Sequence, residues 1–356
     1  MKVSHILFSG LGGHSSVVFS CIKADFNKDF EHSLIFYGIE SLLYSHTENA
    51  DNLNLPYANI SKKKGLDMLS WHRVYRELKN KRPDVVLLHS ISLIIPVYLY
   101  AIFYKKRVIG IEHTSINVKR RVEHIFSYIA GLLCDKIVLL SRESKRDYLK
   151  KYKLNRHKKL TIIPNGIEID TFKKTKPHRE ADYFRISMIS RFSTQKDHRT
   201  LILALKELDN VKLTIAGTGD TWNDINAFIK EHNLQDKAHL CGLLDENELI
   251  LLLRDTDIYV HASFGETLPT SILQAMSCEL AVIGSNIAGI NNLIDNEKNG
   301  ILYENKNVPE LTSKLKMLIE DKELRSKLGL NARKKIEKNY SNLLMYSSYK
   351  KLIHII

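Results

Sequence analysis

Residues 261–276 carry the side chains best suited to hold a sugar. A strand at the start of this block delivers Glu266 into a turn, and Pro269 suits the first position of a following helix. The free backbone amides from Thr270 onward, together with the helix dipole, then point at any phosphate nearby. Glu266 would face the sugar, and Gln274, about two turns along the helix, could hold ribose hydroxyls. The alternative for Glu266 is a charge that stabilises the helix N-terminus by under about 1 kcal/mol.

Two basic residues follow the first predicted strand of the second half of the chain. Arg191 and Lys196 share one loop that leads into a helix. A guanidinium offers a fork of donors and an ammonium offers a point charge, so together they could neutralise a diphosphate. Two basic residues in a loop are also common as ordinary surface charge, and that alternative stays open.

Glycines end several of the predicted strands, where they let backbone amides approach an anion closely. A nicotinamide cofactor is disfavoured, because Ser16 stands where a dinucleotide fingerprint needs glycine and no acidic residue directly ends the second strand. Tight structural turns remain the alternative reading of these glycines. The residues concerned are Gly12, Gly13, Gly217 and Gly242, the last followed by Leu243.

Three histidines lie at or just after predicted strand ends. His113 follows Glu112 at the end of a strand, at the edge where ligands of parallel sheets gather. A sugar contact and a structural role are both open for His113. His14 and His89 are interpreted as packed or capping residues.

Composition predicts a folded protein of more than one domain. The chain has 356 residues, 44% of them hydrophobic, which is too long for one average domain. Its four cysteines have no paired spacing, which excludes a dense disulfide framework and a Cys-only zinc site and fits a reducing cytosol. The first 13 residues read as a β-strand and a glycine turn rather than a signal peptide.

One apolar run, 85–104, is about as long as a membrane span and carries no charged residue. His89, Ser90, Ser92 and Pro96 interrupt it. We therefore interpret the run as a buried strand, a polar strand end and a buried helix.

Short β-rich runs alternate with segments of helical length, which predicts an α/β protein with two doubly wound halves. A polar stretch at 171–180, with a proline and no apolar period, is the predicted linker. Three helical segments follow residue 308. The predicted strands are 3–9, 34–37, 85–89, 108–112, 137–141 and 160–163 in the first half, and 184–190, 212–216, 239–241, 258–261, 281–283 and 301–303 in the second.

The net charge of +13 is confined to the first half of the chain. Residues 1–180 hold 31 Lys and Arg against 17 Asp and Glu, whereas 181–356 hold 22 against 23. Basic clusters at 62–64, 73–82, 105–107 and 119–121 suit an anionic membrane surface or an anionic acceptor. A solvated basic face is the alternative, and nucleic acid is disfavoured because no binding motif accompanies the charge.

With these motifs in order, nearly the whole chain resembles the retaining, nucleotide-sugar-dependent glycosyltransferases of family four, the group 1 glycosyltransferases. The resemblance implies the GT-B fold, two Rossmann-like domains with an interdomain cleft. It rests on Gly12-Gly13, on the segment from Pro83-Asp84 to His89, on Glu112-His113-Thr114, on 163–167, on Ser190-Arg191 with Lys196, on 216–219, on Gly242, and on 264–276.

The resemblance also implies roles for individual residues. His113 would reach the donor sugar and the reaction centre, Arg191 and Lys196 would clamp the diphosphate, and Glu266 would bind sugar hydroxyls. The family has a second glutamate where this chain has Gln274, so nucleotide binding is expected to be weaker or altered rather than lost. The other implied donor contacts are Gly12, Gly13, Gly217, Gly242, Leu243, Gly265, Thr267, Leu268, Pro269 and Thr270.

The implied reaction is front-face transfer with retention, without a protein nucleophile and without a cofactor. Metal independence is expected, because two cations replace the divalent ion; the pair Asp255 and Asp257 precedes a strand at the amino end of the sheet and is read as helix–strand punctuation. The donor would be a UDP- or GDP-type sugar. The acceptor would be a lipid-linked or polysaccharide hydroxyl, as in capsule, O-antigen or lipopolysaccharide assembly.

Four segments follow from this interpretation: an acceptor domain at 1–170, a linker at 171–180, a nucleotide-sugar domain at 181–338, and a helix at 339–356 that packs back on the first domain. We expect a cytoplasmic protein that binds the inner face of the membrane peripherally through its basic first domain. The alternatives are a non-catalytic glycosyltransferase-like binding subunit, and a sugar phosphorylase or nucleotide-sugar epimerase on the same fold.

Overall fold

The chain packs as two compact units. A computed structural model describes residues 1–10, 13–65, 67–153, 157–175 and 182–356. One unit comprises Met1–Gly166 and Asn342–Ile356, and the other comprises Ile167–Ser341. Residues 171–175 of the predicted linker belong to the second unit, and its remainder lies outside the described residues.

Within the described residues, seven parallel strands make up the sheet of the first unit. Because both faces are covered by helices, several of the strands carry continuous apolar runs rather than strict alternation. The strands are Lys2–Phe8 (β1), Glu31–Gly38 (β2), Tyr57–Ser61 (β3), Val85–Leu88 (β4), Arg107–Glu112 (β5), Lys136–Leu139 (β6) and Leu160–Ile162 (β7), in the spatial order β3-β2-β1-β4-β5-β6-β7.

Helices cover both faces of this sheet. Alternate residues of β1 point to opposite sides. Ile6 packs with the helices within residues 68–152, and Leu7 packs with the helices within residues 13–52. The helices are Gly13–Lys23 (α1), Tyr44–Asn52 (α2), Met68–Lys81 (α3), Ile94–Tyr104 (α4), Arg121–Leu133 (α5) and Arg142–Tyr152 (α6).

The apolar run 85–104 is divided as the sequence predicts, into β4 and α4 with a polar strand end between them. In the described part of the chain, no helix combines the length and the apolar character that crossing a membrane requires.

In its described residues the second unit has six strands, and all of them pair in parallel. They are Phe184–Ile189 (β8), Val211–Ala216 (β9), Ala238–Gly242 (β10), Ile258–His261 (β11), Ala281–Ser285 (β12) and Ile301–Tyr303 (β13), in the spatial order β10-β9-β8-β11-β12-β13. The helices are His198–Ala204 (α7), Trp222–Glu231 (α8), Glu246–Arg254 (α9), Thr270–Ser277 (α10), Val308–Glu320 (α11) and Lys322–Asn339 (α12).

The last helix, Asn342–Ile355 (α13), packs against α1 in the first unit. The Asn342 side chain donates to the Ser20 carbonyl at 3.2 Å. The Tyr346 hydroxyl lies 2.7 Å from Asp25 and 2.6 Å from Asp29, and Lys350 bonds to Asp29 at 2.5 Å. Polar contacts as well as packing thus hold this helix against α1 and the turn that follows it.

The predicted α/β class with two parallel Rossmann-like sheets is confirmed. The predicted strands all form, with ends that differ by a few residues, but β3 was not predicted. This edge strand reads Tyr-Ala-Asn-Ile-Ser and buries only Ile60 fully, so it lacks the continuous apolar run of a central strand.

Candidate active site

Two loops at the carboxyl edge of the second sheet are joined by backbone hydrogen bonds. They follow β8 and β11. The Asp197 N–H donates to the Ala262 carbonyl at 3.0 Å, and the Phe264 N–H donates to the Gln195 carbonyl at 2.8 Å. The Ser263 hydroxyl donates to the same Gln195 carbonyl at 3.0 Å. These bonds bring side chains from two distant stretches of sequence to one place.

The side chains brought together are Lys196, His261 and Glu266. The Lys196 ammonium and the Nε2 of His261 both contact Oε1 of Glu266, the histidine at 2.8 Å. Only about 13% of the Lys196 and Glu266 side chains is exposed, and His261 is buried. Both contacts are to one carboxylate oxygen, and among the described residues none donates to Oε2 of Glu266.

The charge state of this cluster follows from its contacts. Burial raises the pKa of Glu266, but Lys196 and His261 outweigh it and lower that pKa to about 2. Burial lowers the pKa of His261, and Glu266 only partly offsets this. A carboxylate accepts only, so His261 donates through Nε2–H, and its Nδ1 lies 3.2 Å from the Tyr259 hydroxyl. Glu266 is therefore an ionised acceptor across the physiological pH range.

Arg191 lies on the same loop as Lys196, with its side chain exposed. The loop is held against the turn after β9, where Gly217 and Gly219 have positive φ angles. A Cβ on Gly217 would lie 2.0 Å from the Ser190 carbonyl oxygen, so a glycine is required for the two backbones to approach. The predicted glycine at 217 thus supports the loop that carries both cations.

Gly242, the last residue of β10, lies beside Gly217 at the same edge of the sheet. Its carbonyl accepts from the Gly217 N–H at 2.7 Å, and Leu243 is exposed. Gly242 has φ +85°, and a Cβ there would meet open space. Both residues lie at the carboxyl edge of the sheet, and their predicted contact with the donor stays a prediction.

Helix α10 begins one residue later than predicted. Pro269 is its N-cap residue rather than its first helical residue, and no side chain caps the helix there. The amides from Thr270 onward are free in the first turn of an α-helix, and they follow Gly265, Thr267 and Leu268 in the same loop. Gln274 is half-buried on this helix.

Three residues of this site were not predicted as functional. His261 ends a strand in the sequence, but nothing there reveals its contact with Glu266. Gln195 and Gly289 act through their backbones. A Cβ on Gly289, which has φ +88°, would lie 2.5 Å from the Glu266 carbonyl oxygen and 2.9 Å from that of Thr267.

Replacing Gly289 by alanine is expected to lower kcat/KM for sugar transfer about tenfold or more, because the added methyl group must displace the loop of Glu266. Gly65→Ala is a matched control, since Gly65 has φ +85° but a Cβ there meets nothing within 4 Å. Both variants should lose about 1 kcal/mol of stability from the left-handed backbone, measured by urea unfolding. Equal activities of the two variants would contradict the positioning role of Gly289.

The histidines singled out in the first unit lie together at the carboxyl edge of the first sheet. His113 directly follows β5, and its Nε2 lies 2.9 Å from Nδ1 of His89, which directly follows β4. The His14 ring lies 5.5 Å from that of His113, and its Nε2 accepts from the Phe8 N–H at 3.0 Å. Gly13 begins α1 at the same edge, whereas Gly12 lies outside the described residues. The predicted contact of His113 with a sugar stays a prediction.

Burial keeps several histidines neutral. It lowers the pKa of His113 and of His198 to about 3, and that of His14 to about 4. Nearby basic groups add to this effect in each case.

Acid is therefore expected to destabilise the fold. Unfolded histidines titrate near pH 6.5 and so bind more protons than these native ones between about pH 6.5 and 4. The free energy of unfolding then falls as the pH is lowered through this window, by at most about 1.4 kcal/mol per unit for each buried histidine. His198→Gln should reduce the slope measured by calorimetry, and the exposed His239→Gln should not. A stability that does not change between pH 7.5 and 5 would contradict this prediction.

Two charged groups named in the sequence have structural roles. Asp255 and Asp257 both contact Arg185 at the start of β8, as expected of helix–strand punctuation at the amino edge. Lys119 pairs with Glu112 in the interior, with 3% of its side chain exposed, and so is no part of the basic surface predicted at 119–121.

Two protein-family models match the chain. Residues 169–335 match the model described as glycosyl transferases group 1, and residues 11–171 match the one described as glycosyltransferase family 4. The two matches together span both units.

Curated relatives and solved structures agree with these matches. The UDP-Gal:alpha-D-GlcNAc-diphosphoundecaprenol alpha-1,3-galactosyltransferase of Escherichia coli is 26% identical over 298 residues, which cover 77% of this chain and 76% of that protein. The alpha-monoglucosyldiacylglycerol synthase of Streptococcus pneumoniae is 28% identical over 202 residues, 52% of this chain and 44% of that protein.

The crystal structure of HepE from Anabaena in complex with UDP-glucose superposes with a TM-score of 0.87 at 16% identity, over all of both chains. That of the lipopolysaccharide outer core galactosyltransferase WaaB gives a TM-score of 0.73 at 18% identity, also over all of both chains. These likenesses establish the fold. With both family models matched in sequence order, the chain belongs to the group 1, or family 4, glycosyltransferases of the GT-B fold, which transfer a sugar from a nucleotide donor.

Proposed function

We propose that this glycosyltransferase moves a hexose or an N-acetylhexosamine, with retention of configuration, from a UDP- or GDP-sugar to a hydroxyl group of a lipid-linked or polysaccharide acceptor. The observation that carries the proposal is the convergence of Lys196 and His261 on one oxygen of Glu266, on the loop that precedes α10. This cluster presents one buried anionic acceptor beside the loop that carries Arg191.

The donor sugar is assigned to Glu266. An ionised carboxylate accepts from two vicinal hydroxyls, and Oε2 has no donor among the described residues. His261 and Lys196 hold the other oxygen, so the carboxylate is oriented before a sugar arrives. Preorganised charge of this kind stabilises a transition state without a reorganisation cost.

The diphosphate is assigned to Arg191, Lys196 and the amides from Thr270 onward. Lys196 then has two anionic neighbours, Glu266 and the diphosphate, which explains why a lysine rather than a neutral residue is needed between them. As the bond from the anomeric carbon to the diphosphate breaks, negative charge grows on the phosphate oxygens, and these donors stabilise it.

The acceptor oxygen forms its bond to the anomeric carbon on the face that the diphosphate leaves. The hydroxyl proton passes to the departing phosphate oxygen, so atoms and charge balance without a protein nucleophile. Because Arg191 and Lys196 supply the positive charge, we expect transfer to proceed in EDTA.

A lipid-linked acceptor is supported by a surface of the first unit that we call the α4–α5 patch. On each of two neighbouring helices the exposed apolar residues recur about every three or four residues, and exposed basic residues flank them in the sequence. Apolar side chains inserted at the headgroup level, with cations beside them, match an anionic bilayer. The patch comprises Leu99, Ile102, Phe103, Tyr104, Val122, Ile125 and Tyr128, bordered by Lys105, Arg107, Arg120 and Arg121.

The relatives named above support the same acceptor class, since their names specify a diphosphoundecaprenol-linked sugar and a diacylglycerol glycolipid. We therefore propose work at the inner face of the cell membrane, in assembly of a surface polysaccharide such as capsule, O-antigen or lipopolysaccharide.

The double variant Ile102→Ser/Phe103→Ser is expected to reduce binding to phosphatidylglycerol-containing vesicles about tenfold or more, because it removes two apolar anchors worth about 1–2 kcal/mol each. The measurement is vesicle co-sedimentation at low salt. Leu343→Ser/Leu344→Ser, an exposed adjacent pair on α13, is the matched control. Equal loss in both variants, or equal binding to uncharged phosphatidylcholine vesicles, would contradict the proposed surface.

The proposed function is tested by the release of nucleoside diphosphate from a panel of UDP- and GDP-sugars in EDTA, with and without membrane lipid extract. We expect one donor to be turned over, faster with lipid, and a product whose anomeric configuration by NMR matches the donor. An inverted product, or release that requires a divalent metal, would contradict the proposal.

A second candidate function rests on Gln274. An uncharged amide where the family has glutamate fits a binding subunit that holds a nucleotide sugar without transfer. In that case no donor is turned over, although the folded protein binds a nucleotide. Gln274→Glu separates the two functions. In an active enzyme it should tighten donor binding, whereas a binding subunit should remain without turnover.

A further inference from the structure

Four histidines of the first unit form one row, which we call the histidine row: His113, His89, His5 and His32. Nε2 of His113 lies 2.9 Å from Nδ1 of His89, and Nε2 of His89 lies 3.4 Å from Nδ1 of His5. Nε2 of His5 lies 3.1 Å from Nδ1 of His32. At every junction a Nε2 atom meets a Nδ1 atom, so the same orientation repeats along the row.

The row runs across four adjacent strands of the sheet, β5, β4, β1 and β2. His113 and His89 stand just beyond the carboxyl ends of β5 and β4, His5 lies within β1, and His32 lies near the start of β2. His5 is 2% exposed, in a strand whose last three residues are apolar. A buried polar residue in such a place needs partners, and here its partners are the neighbouring histidines.

The far end of the row meets Asp25. Oδ2 of Asp25 lies 3.3 Å from Nε2 of His32, close enough for electrostatic attraction but without hydrogen-bond geometry. The same carboxylate accepts from the backbone N–H groups of Asp29 and Phe30 and from the Tyr346 hydroxyl. Donors therefore surround it, as expected of an ionised group.

Each imidazole in the row carries a single ring proton. Burial lowers the pKa of His5, His89 and His113 below the ordinary value, and neighbouring histidines lower it further. Burial also lowers the pKa of His32, by more than Asp25 raises it. A neutral imidazole has one donor and one acceptor nitrogen, so the tautomer of one member dictates that of the next.

The direction of the row then follows from Asp25. A carboxylate repels a nitrogen lone pair and attracts an N–H, so His32 carries its proton on Nε2. Its Nδ1 accepts from His5 Nε2–H, His5 Nδ1 accepts from His89 Nε2–H, and His89 Nδ1 accepts from His113 Nε2–H. The last acceptor, Nδ1 of His113, has no partner among the described residues.

We propose that His32, His5 and His89 are positioning residues through which Asp25 holds His113 as its Nε2–H tautomer, with Nδ1 offered as a hydrogen-bond acceptor to a substrate hydroxyl. A lone pair suits a sugar or acceptor hydroxyl and repels a phosphate oxygen, so the tautomer selects which part of a substrate His113 can contact. The ligand class rests on the proposed function, whereas the tautomer does not.

The tautomer is tested by long-range ¹H–¹⁵N correlation NMR of histidine-labelled protein, which distinguishes protonated from unprotonated ring nitrogens. We expect His113 to be protonated at Nε2 only. In His5→Leu the row is cut and His89 loses its acceptor, so the His113 signal should shift toward the Nδ1–H tautomer or a mixture. His5→Gln offers an amide donor and an acceptor and should restore the wild-type signal.

His46→Leu is the matched control, because His46 is another buried histidine of the first unit, stacked on Phe36 rather than in the row. Asp25→Asn removes the acceptor-only anchor and should have the effect of His5→Leu. The other hydrogen bonds of Asp25 hold the turn after α1. If Asp25→Asn does not fold, His5→Leu still decides the test.

Kinetics give a second measurement. His5→Leu should lower kcat for transfer roughly tenfold, about the cost of one lost hydrogen bond, with little change in donor KM, and His5→Gln should recover most of it. A wild-type His113 protonated at Nδ1, or an unchanged His113 signal in His5→Leu, would overturn the inference. Absence of transferase activity in the wild type would instead refute the proposed function and leave the NMR result standing.

Discussion

Replacing Glu266 by glutamine is expected to lower kcat/KM for sugar transfer about a thousandfold, which is the upper range for loss of one preorganised group in an active site. Glutamine has nearly the same shape, but its one carbonyl oxygen must serve Lys196 and His261 as well as the sugar. The amide end adds two donors where the site needs acceptors.

Binding of the nucleoside diphosphate should change much less, because Arg191, Lys196 and the helix amides remain. The measurement is steady-state transfer together with calorimetric binding of the diphosphate. Glu279→Gln is the control, since Glu279 also pairs with a lysine, Lys174 at 3.5 Å, in the same unit. Transfer by Glu266→Gln at the wild-type rate would show that the sugar is bound elsewhere.

Replacing Lys196 by methionine is expected to have the second large effect, a loss of about a hundredfold in kcat near pH 7.5 that becomes smaller as the pH rises. In the native cluster Lys196 is the main reason that the pKa of Glu266 lies at about 2 despite burial. Without the ammonium, only His261 opposes the effect of burial, so the pKa of Glu266 rises. The protonated acid cannot accept from sugar hydroxyls as a carboxylate does.

The pH profile therefore separates the two roles of Lys196. Activity that needs ionised Glu266 is lost as the pH falls through the raised pKa, so the variant should gain an acidic limb that the wild type lacks above pH 5. The variant also loses the contact between Lys196 and the diphosphate, and the part of the fall in kcat that comes from this contact is not recovered at high pH. A variant whose profile runs parallel to that of the wild type would contradict the electrostatic coupling.

Stability gives an independent measurement of the same pair. Removing Lys196 alone leaves a buried carboxylate and should cost about 3–5 kcal/mol, whereas Lys196→Met/Glu266→Gln together should cost less than the two single changes added. Lys174→Met, at a half-exposed lysine, should cost under about 1 kcal/mol. Additive losses at positions 196 and 266 would show that the two side chains do not interact.

Much of the fold was predictable, because strands buried on both faces must be apolar and their runs stand out. The edge strand β3 was not, since an edge position buries few of its side chains. In the same way Lys119 reads as part of a basic cluster with Arg120, although its neighbour Glu112 pairs with it in the interior. Charge along a sequence does not reveal which member of a cluster turns inward.

The candidate site was predictable where it consists of residues close in sequence. Glu266, Pro269 and Gln274 belong to one loop and helix, and Arg191 and Lys196 belong to one loop. His261 and Gly289 were not predicted, because their roles depend on how the chain folds at this edge of the sheet. The His261 side chain lies 2.8 Å from Glu266, and a Cβ on Gly289 would lie 2.5 Å from the Glu266 carbonyl oxygen.

The sequence by itself determined the α/β class, the restart of the strand pattern and the residue types at the carboxyl ends of the strands, because each depends on local composition and order. Only the tertiary structure decided that Lys196 and His261 share one oxygen of Glu266, and that four histidines from four strands or strand ends form one row. Lys196 and Glu266 are 70 residues apart in sequence, and His5 and His89 are 84 residues apart. Such meetings depend on which strands lie side by side in the folded sheet, an order that no local pattern encodes.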